Sequence, residues 1–345
     1  DDVARQVTRV REAGFSPIIV TSAAIACGLE ALGIERRPTD MPSLQAAASV
    51  GQSALSAGYA RAFAQHGITT SLVLLTRRDT ADRTAYLHAR DTLSRLLEMG
   101  VVPIVNENDT VSVEQIRFGD NDTLAALVAC LVEAELMVIL SDIEGLYDAN
   151  PTKVKGAHLI ERVERIDESI MGVAGDAGSV VGSGGMITKI RASRILMTAG
   201  IQSVICSGEE PDALVRLARG ESVGTLFDPP AERLDIAPRK LWIALGDNAH
   251  GSVTVDDGAA KALVGHGSSL LAVGIREVDG EFAEGDVLDV CDPSGMVVAR
   301  GIAEADSDVL ELAAGRRQDQ IASNRLLANL AEKPAIHRDN LIVFA

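Results

Sequence analysis

Over its first two-thirds the chain alternates two periods: short apolar runs of strand length, each ending in small or polar residues, and longer stretches with a helical repeat. Residues 2–14 read as a helix, and Pro17-Ile18-Ile19-Val20-Thr21-Ser22 as a buried strand. A helix follows through about 44–65, then a strand from Thr70 to Leu75. An amphipathic helix over 80–99 leads into a strand from Val101 to Val105 and a short hairpin arm over 111–118. A helix from Asp120 to about 133 and a strand from Leu136 to Leu140 come next, then a helix over 186–199 and a strand from Ser203 to Cys206. Parallel strands need crossover connections, and helices supply them. The repeated order therefore predicts an α/β fold, a three-layer αβα sandwich.

Composition agrees with that architecture. Hydrophobic residues make up 47% of the chain and aromatics only 3%, so Ala, Val, Leu and Ile must fill the core, as helices packed on a mostly parallel sheet allow. A length of 345 residues exceeds what one core usually serves. The pattern changes at Asp228-Pro229-Pro230 and again at Pro238, which predicts a first domain over 1–228, a linker over 229–238 and a second domain over 239–345. The second domain reads as small and β-rich, with strands from Gly251 to Val255, Val287 to Val290 and Val297 to Ile302. Turn-like stretches, Val278-Asp279-Gly280 and Asp292-Pro293-Ser294-Gly295, separate them.

A net charge of −17 repels phosphate backbones and anionic lipid, which argues against a general nucleic-acid or membrane binder. Residues 236–345 hold 10 Lys and Arg against 17 Asp and Glu, which disfavours RNA for that region too. The cysteines (Cys27, Cys130, Cys206, Cys291) lie far apart beside apolar runs and read as free thiols in a reducing cytosol. The histidines show no zinc-like spacing. No apolar run reaches membrane-spanning length, and no signal peptide is visible. The expected location is cytoplasmic.

Ligands of open α/β sheets sit at the carboxyl ends of strands, so the residues after each strand carry the chemistry. The first strand delivers Ser22, followed by Ala23 and Ala24. No histidine stands at a telling position to activate Ser22, so a hydroxyl donating to a carboxylate or phosphate is its better role. Asn106, Glu107, Asn108 and Asp109 follow another strand, and Asp120, Asn121 and Asp122 open a helix. One such residue would cap a helix. The whole set is larger than capping needs, and suits an ammonium group or a magnesium-bound nucleotide. Ser141 and Asp142 end a further strand, where Asp142 can orient a lysine, shape a nucleotide site or simply form a turn. Gly182-Ser183-Gly184-Gly185-Met186-Ile187-Thr188-Lys189 opens a helix and is the phosphate candidate. Glycines let backbone N–H groups approach an anion, and a helix start adds positive dipole. It is not a Walker A loop, because Thr188 precedes Lys189, and a surface loop is the plain alternative.

These segments together resemble the glutamate 5-kinase family of the amino-acid kinase superfamily, with a C-terminal PUA domain. The resemblance runs nearly end to end through VTSAAIACG (20–28), VPIVNENDTV (102–111), FGDNDTLAAL (118–127), LSDIEGLYDANP (140–151), GSGGMITK (182–189) and GSVTVDDGA (251–259). It implies phosphoryl transfer from ATP to the side-chain carboxylate of glutamate, the first step toward proline. It also implies glutamate binding at Ser22, Asp109 and Asn121, beside Asn106, Asp120 and Asp122 of the polar clusters. ATP is implied at Ser141, Asp142, Ser183, Gly184, Gly185, Met186, Ile187, Thr188 and Lys189, with Lys189 stabilising the transferring phosphoryl group; Asp142, from its place at the strand end, is the other catalytic candidate. Mg²⁺ is expected with ATP and without direct protein ligands. Feedback inhibition by proline and a homo-oligomer, dimer or tetramer, follow from the same resemblance. A kinase for aspartate or N-acetylglutamate is the runner-up, and the PUA-like tail argues against it.

Two departures from the family pattern stand out. The family begins with a strand and a V-K-x-G-[ST]-S loop that holds a second lysine, whereas this chain starts at Asp1 inside a helical segment. The expectation is a loop encoded upstream, and the alternative is a degenerate relative with a regulatory or RNA-binding role. The family also has Ser-Gly-Ala where this chain has Ser22-Ala23-Ala24.

Overall fold

The computed structural model describes residues 1–76, 83–111, 121–151, 153–176, 185–229, 240, 243–244 and 249–344. The chain divides into two units, Asp1–Met197 with Ile201–Pro230, and Thr198–Gly200 with Ala231–Ala345.

The first unit opens with helix α1 (Asp2–Glu12), strand β1 (Ile19–Val20), α2 (Ala24–Ala31) and α3 (Met41–Ala64). Asp40 starts α3 by accepting from the Ser43 N–H at 2.9 Å, and Pro42 sits in the first turn, where its missing N–H costs nothing. Strand β2 (Thr70–Leu75), α4 (Arg83–Glu98), β3 (Val102–Glu107), α5 (Asn121–Leu131) and β4 (Leu136–Ser141) follow. The described part ends with β5 (Arg162–Val163), α6 (Glu168–Asp176), α7 (Met186–Thr198), β6 (Gln202–Ser207), α8 (Ala213–Ala218) and β7 (Thr225–Phe227).

Among the described residues these strands form two sheets, β1-β3-β2, all parallel, and β4-β6-β7-β5, in which β6 and β7 run antiparallel. All six residues of β3 are buried, as a central parallel strand covered on both faces requires. The strand expected over 17–22 is shorter. Only Ile19 and Val20 pair, with Ile104 and Val105, and the Thr21 N–H extends the ladder to Val105 O at 2.9 Å. Pro17 lacks a donor, which suits its place ahead of a strand that lies at the edge of the sheet among the described residues. Ala4, Val7, Phe63, Val102 and Ile104 form one core, and Val204, Cys206, Ala213 and Val223 another. All but Val111 of the hairpin arm expected over 111–118, and most of the linker expected over 229–238, lie outside the described residues.

The second unit holds β8 (Gly251–Val255), α9 (Asp257–His266), β9 (Ile275–Asp279), β10 (Val287–Cys291), β11 (Val297–Ile302), α10 (Ser307–Ala313), α11 (Gln318–Ala322) and β12 (Leu341–Val343). Its sheet order is β12-β11-β10-β8-β9. The turn read at 278–280 begins later, because β9 runs through Asp279 and Gly280 alone takes the left-handed φ of 92°. Helix α9 was not anticipated, although Asp256 caps it through the Ala259 N–H at 2.8 Å and Gly267 ends it at φ 57°. All four cysteines are free. No helix among the described residues is long and apolar enough to cross a membrane.

Candidate active site

The carboxyl ends of β1 and β3 lie side by side. Ser22 leaves β1 exposed to solvent, and Ala23 takes φ 78° and ψ 8° to start α2. A Cβ is disfavoured in that left-handed region, so the position asks for glycine. The turn is held by the contact between α2 and α3. A Cβ on Gly28 would stand 1.7 Å from Ala47 O, and one on Gly51 would stand 1.7 Å from Ala24 O. The two helix backbones therefore touch, and the start of α2 is set by that touch.

At the end of β3, Asn106 and Glu107 are buried, each 2% exposed. The Glu107 N–H donates to Asn106 Oδ1 at 2.9 Å, which fixes the carboxamide. Asp109 follows, and burial pushes its carboxyl up to about 6, because desolvation penalises the charged form. A carboxylate in this state gains strongly from a cationic ligand.

Two helix starts meet nearby. Asn121 and Asp122 stand on the first turn of α5, and Thr188 and Lys189 on the first turn of α7. Lys189 Nζ donates to Asp122 Oδ2 at 3.1 Å. Thr188 Oγ1 lies 2.8 Å from Asp122 Oδ2 and 2.8 Å from Gly185 O, its single proton serving one of them at a time. The Asn121 Oδ1 atom is buried and has no hydrogen-bond partner among the described residues, an acceptor suited to an N–H donor on a ligand. Each helix start presents positive dipole, so among the described residues this corner brings two such ends and the Lys189 ammonium to the Asp122 carboxylate. Charge that develops on a transferring phosphoryl group is stabilised by such groups.

At the end of β4, Ser141 Oγ donates to Asp142 Oδ1 at 3.1 Å, and the Gly208 N–H donates to Ser141 O at 2.8 Å. The carboxylate beside Lys189 is thus Asp122; Asp142, for which orienting the lysine is one of three readings, bonds to its own neighbour. The chain beyond Asp142 lines a cleft of about 400 Å³ with Asp148, Asn150, Lys153, Glu168 and Ser169. Of the expected site residues, Asp120, Ser183 and Gly184 lie outside the described ones.

This mixed α/β unit carries its polar clusters at strand ends and helix starts, and the model of the amino acid kinase family matches residues 1–207. The PUA domain model matches residues 251–323. Curated relatives narrow the class. The chain is 48% identical over 343 residues to a protein of Azoarcus sp. (strain BH72) named glutamate 5-kinase, covering 99% of this chain and 91% of that one. It is 44% identical to the proteins of the same name from Nitrosospira multiformis and Caldanaerobacter subterraneus subsp. tengcongensis, covering 99% of this chain and 90% and 91% of theirs. The chain belongs to the glutamate 5-kinase family.

Proposed function

We infer that the chain carries the activity for which these relatives are named: it transfers the γ-phosphoryl group of ATP to the side-chain carboxylate of glutamate. The observation that carries this reading is the 44–48% identity over nearly the whole chain to proteins of that name. A glutamate side-chain oxygen attacks the γ-phosphorus, the bond to the bridging oxygen breaks, and ADP leaves with the electron pair. The product is the acyl phosphate L-glutamyl 5-phosphate, the first intermediate toward proline. The nucleophile is already ionised near neutral pH, so no general base is required. What the protein supplies is position and charge.

The assignment of roles is our reading of the site. Asp109 holds the substrate ammonium, and Asn106, Asn121 and Ser22, with Asp120, bind its polar groups. Lys189 neutralises the moving phosphoryl group, and Asp122 and Thr188 hold the lysine and its helix start in place. Ser141, Asp142 and residues 183–188 bind ATP, and the cleft beyond Asp142 takes the nucleobase. Asp122 is engaged by Lys189 and Thr188, so Mg²⁺ fits here as an ion bound chiefly by phosphate oxygens and water. There it would offset phosphate charge. The enzyme is proposed to be cytoplasmic, homo-oligomeric and inhibited by proline.

The test is a coupled assay of ADP release together with hydroxylamine trapping of the acyl phosphate. Glutamate-dependent formation of both products supports the reading. Faster turnover of aspartate or N-acetylglutamate than of glutamate overturns the substrate assignment.

A further inference from the structure

Helix α3 carries three polar side chains at seven-residue spacing, Gln45, Gln52 and Tyr59, and each reaches the backbone or side chain of a segment at the amino-acid end of the site. Gln45 Nε2 donates to Thr110 O at 3.3 Å. Gln52 Nε2 donates to Glu107 O at 3.0 Å, and Gln52 Oε1 accepts from Asn106 Nδ2 at 3.3 Å. The Tyr59 hydroxyl lies 3.1 Å from Thr21 Oγ1, which in turn lies 3.3 Å from Ser22 O. Seven residues are close to two helical turns, so the three lie along one stripe.

The helix around them is built of small residues. Between Gln45 and Tyr59 stand Ala46, Ala47, Ala48, Ser49, Val50 and Gly51, then Ser53, Ala54, Leu55, Ser56, Ala57 and Gly58. A buried Gln in such a setting is costly unless both ends of its amide are bonded, and Gln52, 7% exposed, is bonded at both ends. Its effect on Asn106 is specific. The Glu107 N–H occupies Asn106 Oδ1, and Gln52 occupies one Nδ2 hydrogen. The carboxamide plane is then set, and one N–H remains for a ligand acceptor.

We propose that α3 is the positioning element of the glutamate half of the site, with Gln52 as its central positioning residue. Gln52 aims Asn106 and holds the Glu107–Asp109 turn, Gln45 secures the far end of that turn, and Tyr59 secures the exit of β1 at Ser22. None of the three touches the phosphoryl-transfer corner built on Asp122 and Lys189 in the contacts above. The inference rests on the assignment of Asn106, Asp109 and Ser22 to glutamate.

Gln52→Met keeps the length of the side chain and removes both hydrogen bonds. Tyr59→Phe keeps the ring and removes only the hydroxyl. The measurement is steady-state kinetics of the intact enzyme with each substrate varied in turn, beside the melting temperature of each variant. Gln52→Met should raise the KM for glutamate about tenfold or more, the scale of one lost buried hydrogen bond, with the KM for ATP within about twofold. Tyr59→Phe should raise the glutamate KM by about threefold or more and leave ATP unchanged. Tyr59→Phe also serves if Gln52→Met does not fold. Lower melting temperatures with both KM values unchanged would overturn the inference, and so would equal rises in both. Wild-type enzyme that turns over ATP without glutamate dependence would overturn the functional reading and this inference with it. Normal wild-type kinetics beside unaffected variants would overturn this inference alone.

Discussion

Lys189 Nζ lies 3.1 Å from Asp122 Oδ2, a pair that joins the first turns of α7 and α5 across 67 residues of sequence. Both side chains are largely buried, 13% and 14% exposed. Removing one partner of such a pair leaves the other desolvated, at a cost of roughly 3–5 kcal/mol in well-buried cases. The pair therefore fastens one helix start to another, and in the proposed mechanism it also holds an ammonium where the phosphoryl group moves.

Removing the lysine should separate chemistry from binding. Lys189→Ala is expected to lower kcat by on the order of 10²–10³, with a smaller change in nucleotide affinity, because the charge acts mainly as the phosphoryl group moves. Lys189→Arg should not restore the rate fully, since a planar fork does not fit a point-charge site. Asp122→Asn should lower both kcat and the melting temperature. Stopped-flow single turnovers and nucleotide titrations check this, and unchanged kcat in Lys189→Ala would remove the residue from the mechanism.

The pH dependence follows from Asp109. Its carboxyl is raised from 3.8 to about 6 by burial. The folded chain thus holds a proton that the unfolded chain releases between about pH 4 and 6. The contribution to stability is full below about pH 4 and is lost as pH rises through about 6. In the proposed role Asp109 must be ionised to hold the substrate ammonium, so the two trends oppose each other. The glutamate KM should rise up to about tenfold per unit as pH falls below about 6, and glutamate binding at pH 6 should release up to about half a proton per site. Calorimetry in buffers of different ionisation enthalpy measures that proton, and Asp109→Asn should abolish it.

Ala23 stands at φ 78° with a Cβ that gains nothing there. Ala23→Gly should raise stability by up to about 1 kcal/mol, the relief of a left-handed alanine less the added chain entropy. Chemical denaturation reads the change. A loss of stability would mean that the left-handed turn is not what this residue adopts in solution.

The touch between α2 and α3 makes a sharper test. In Gly51→Ala the new Cβ would fall 1.7 Å from Ala24 O, whereas in Gly58→Ala it would meet nothing within 4 Å. The first should destabilise by at least about 1–3 kcal/mol through overpacking, and raise the glutamate KM because α2 carries the turn at Ser22 and Ala23. The second, on the same helix, should be neutral or gain roughly 0.5–1 kcal/mol from helix propensity. Equal effects from the two would contradict the contact.

Much of this was legible from local pattern. Helices such as α3 and α7 and strands such as β2 and β4 are written in period, caps and apolar runs, because each depends on neighbours a few residues away. Asn106, Asp109, Asn121, Asp122, Ser141 and Lys189 were legible as strand-end or helix-start residues. Gln52 was not, although polar side chains at seven-residue spacing, Gln45, Gln52 and Tyr59, in a helix rich in small residues were a readable signal. Helix α9 was also missed, despite the cap at Asp256 and the stop at Gly267.

Partnership was a different matter. By itself the sequence determined that parallel strands would present polar clusters at one edge, and that a lysine would follow a Gly-rich helix start. Only the tertiary structure decided that Lys189 pairs with Asp122 and not Asp142, that Asp109 is desolvated, and that Ala23 must turn left-handed where two helix backbones touch. The reason is one of range. Period and capping act over a few residues, whereas an ion pair, a desolvated carboxylate and a backbone contact depend on which distant segments are packed together.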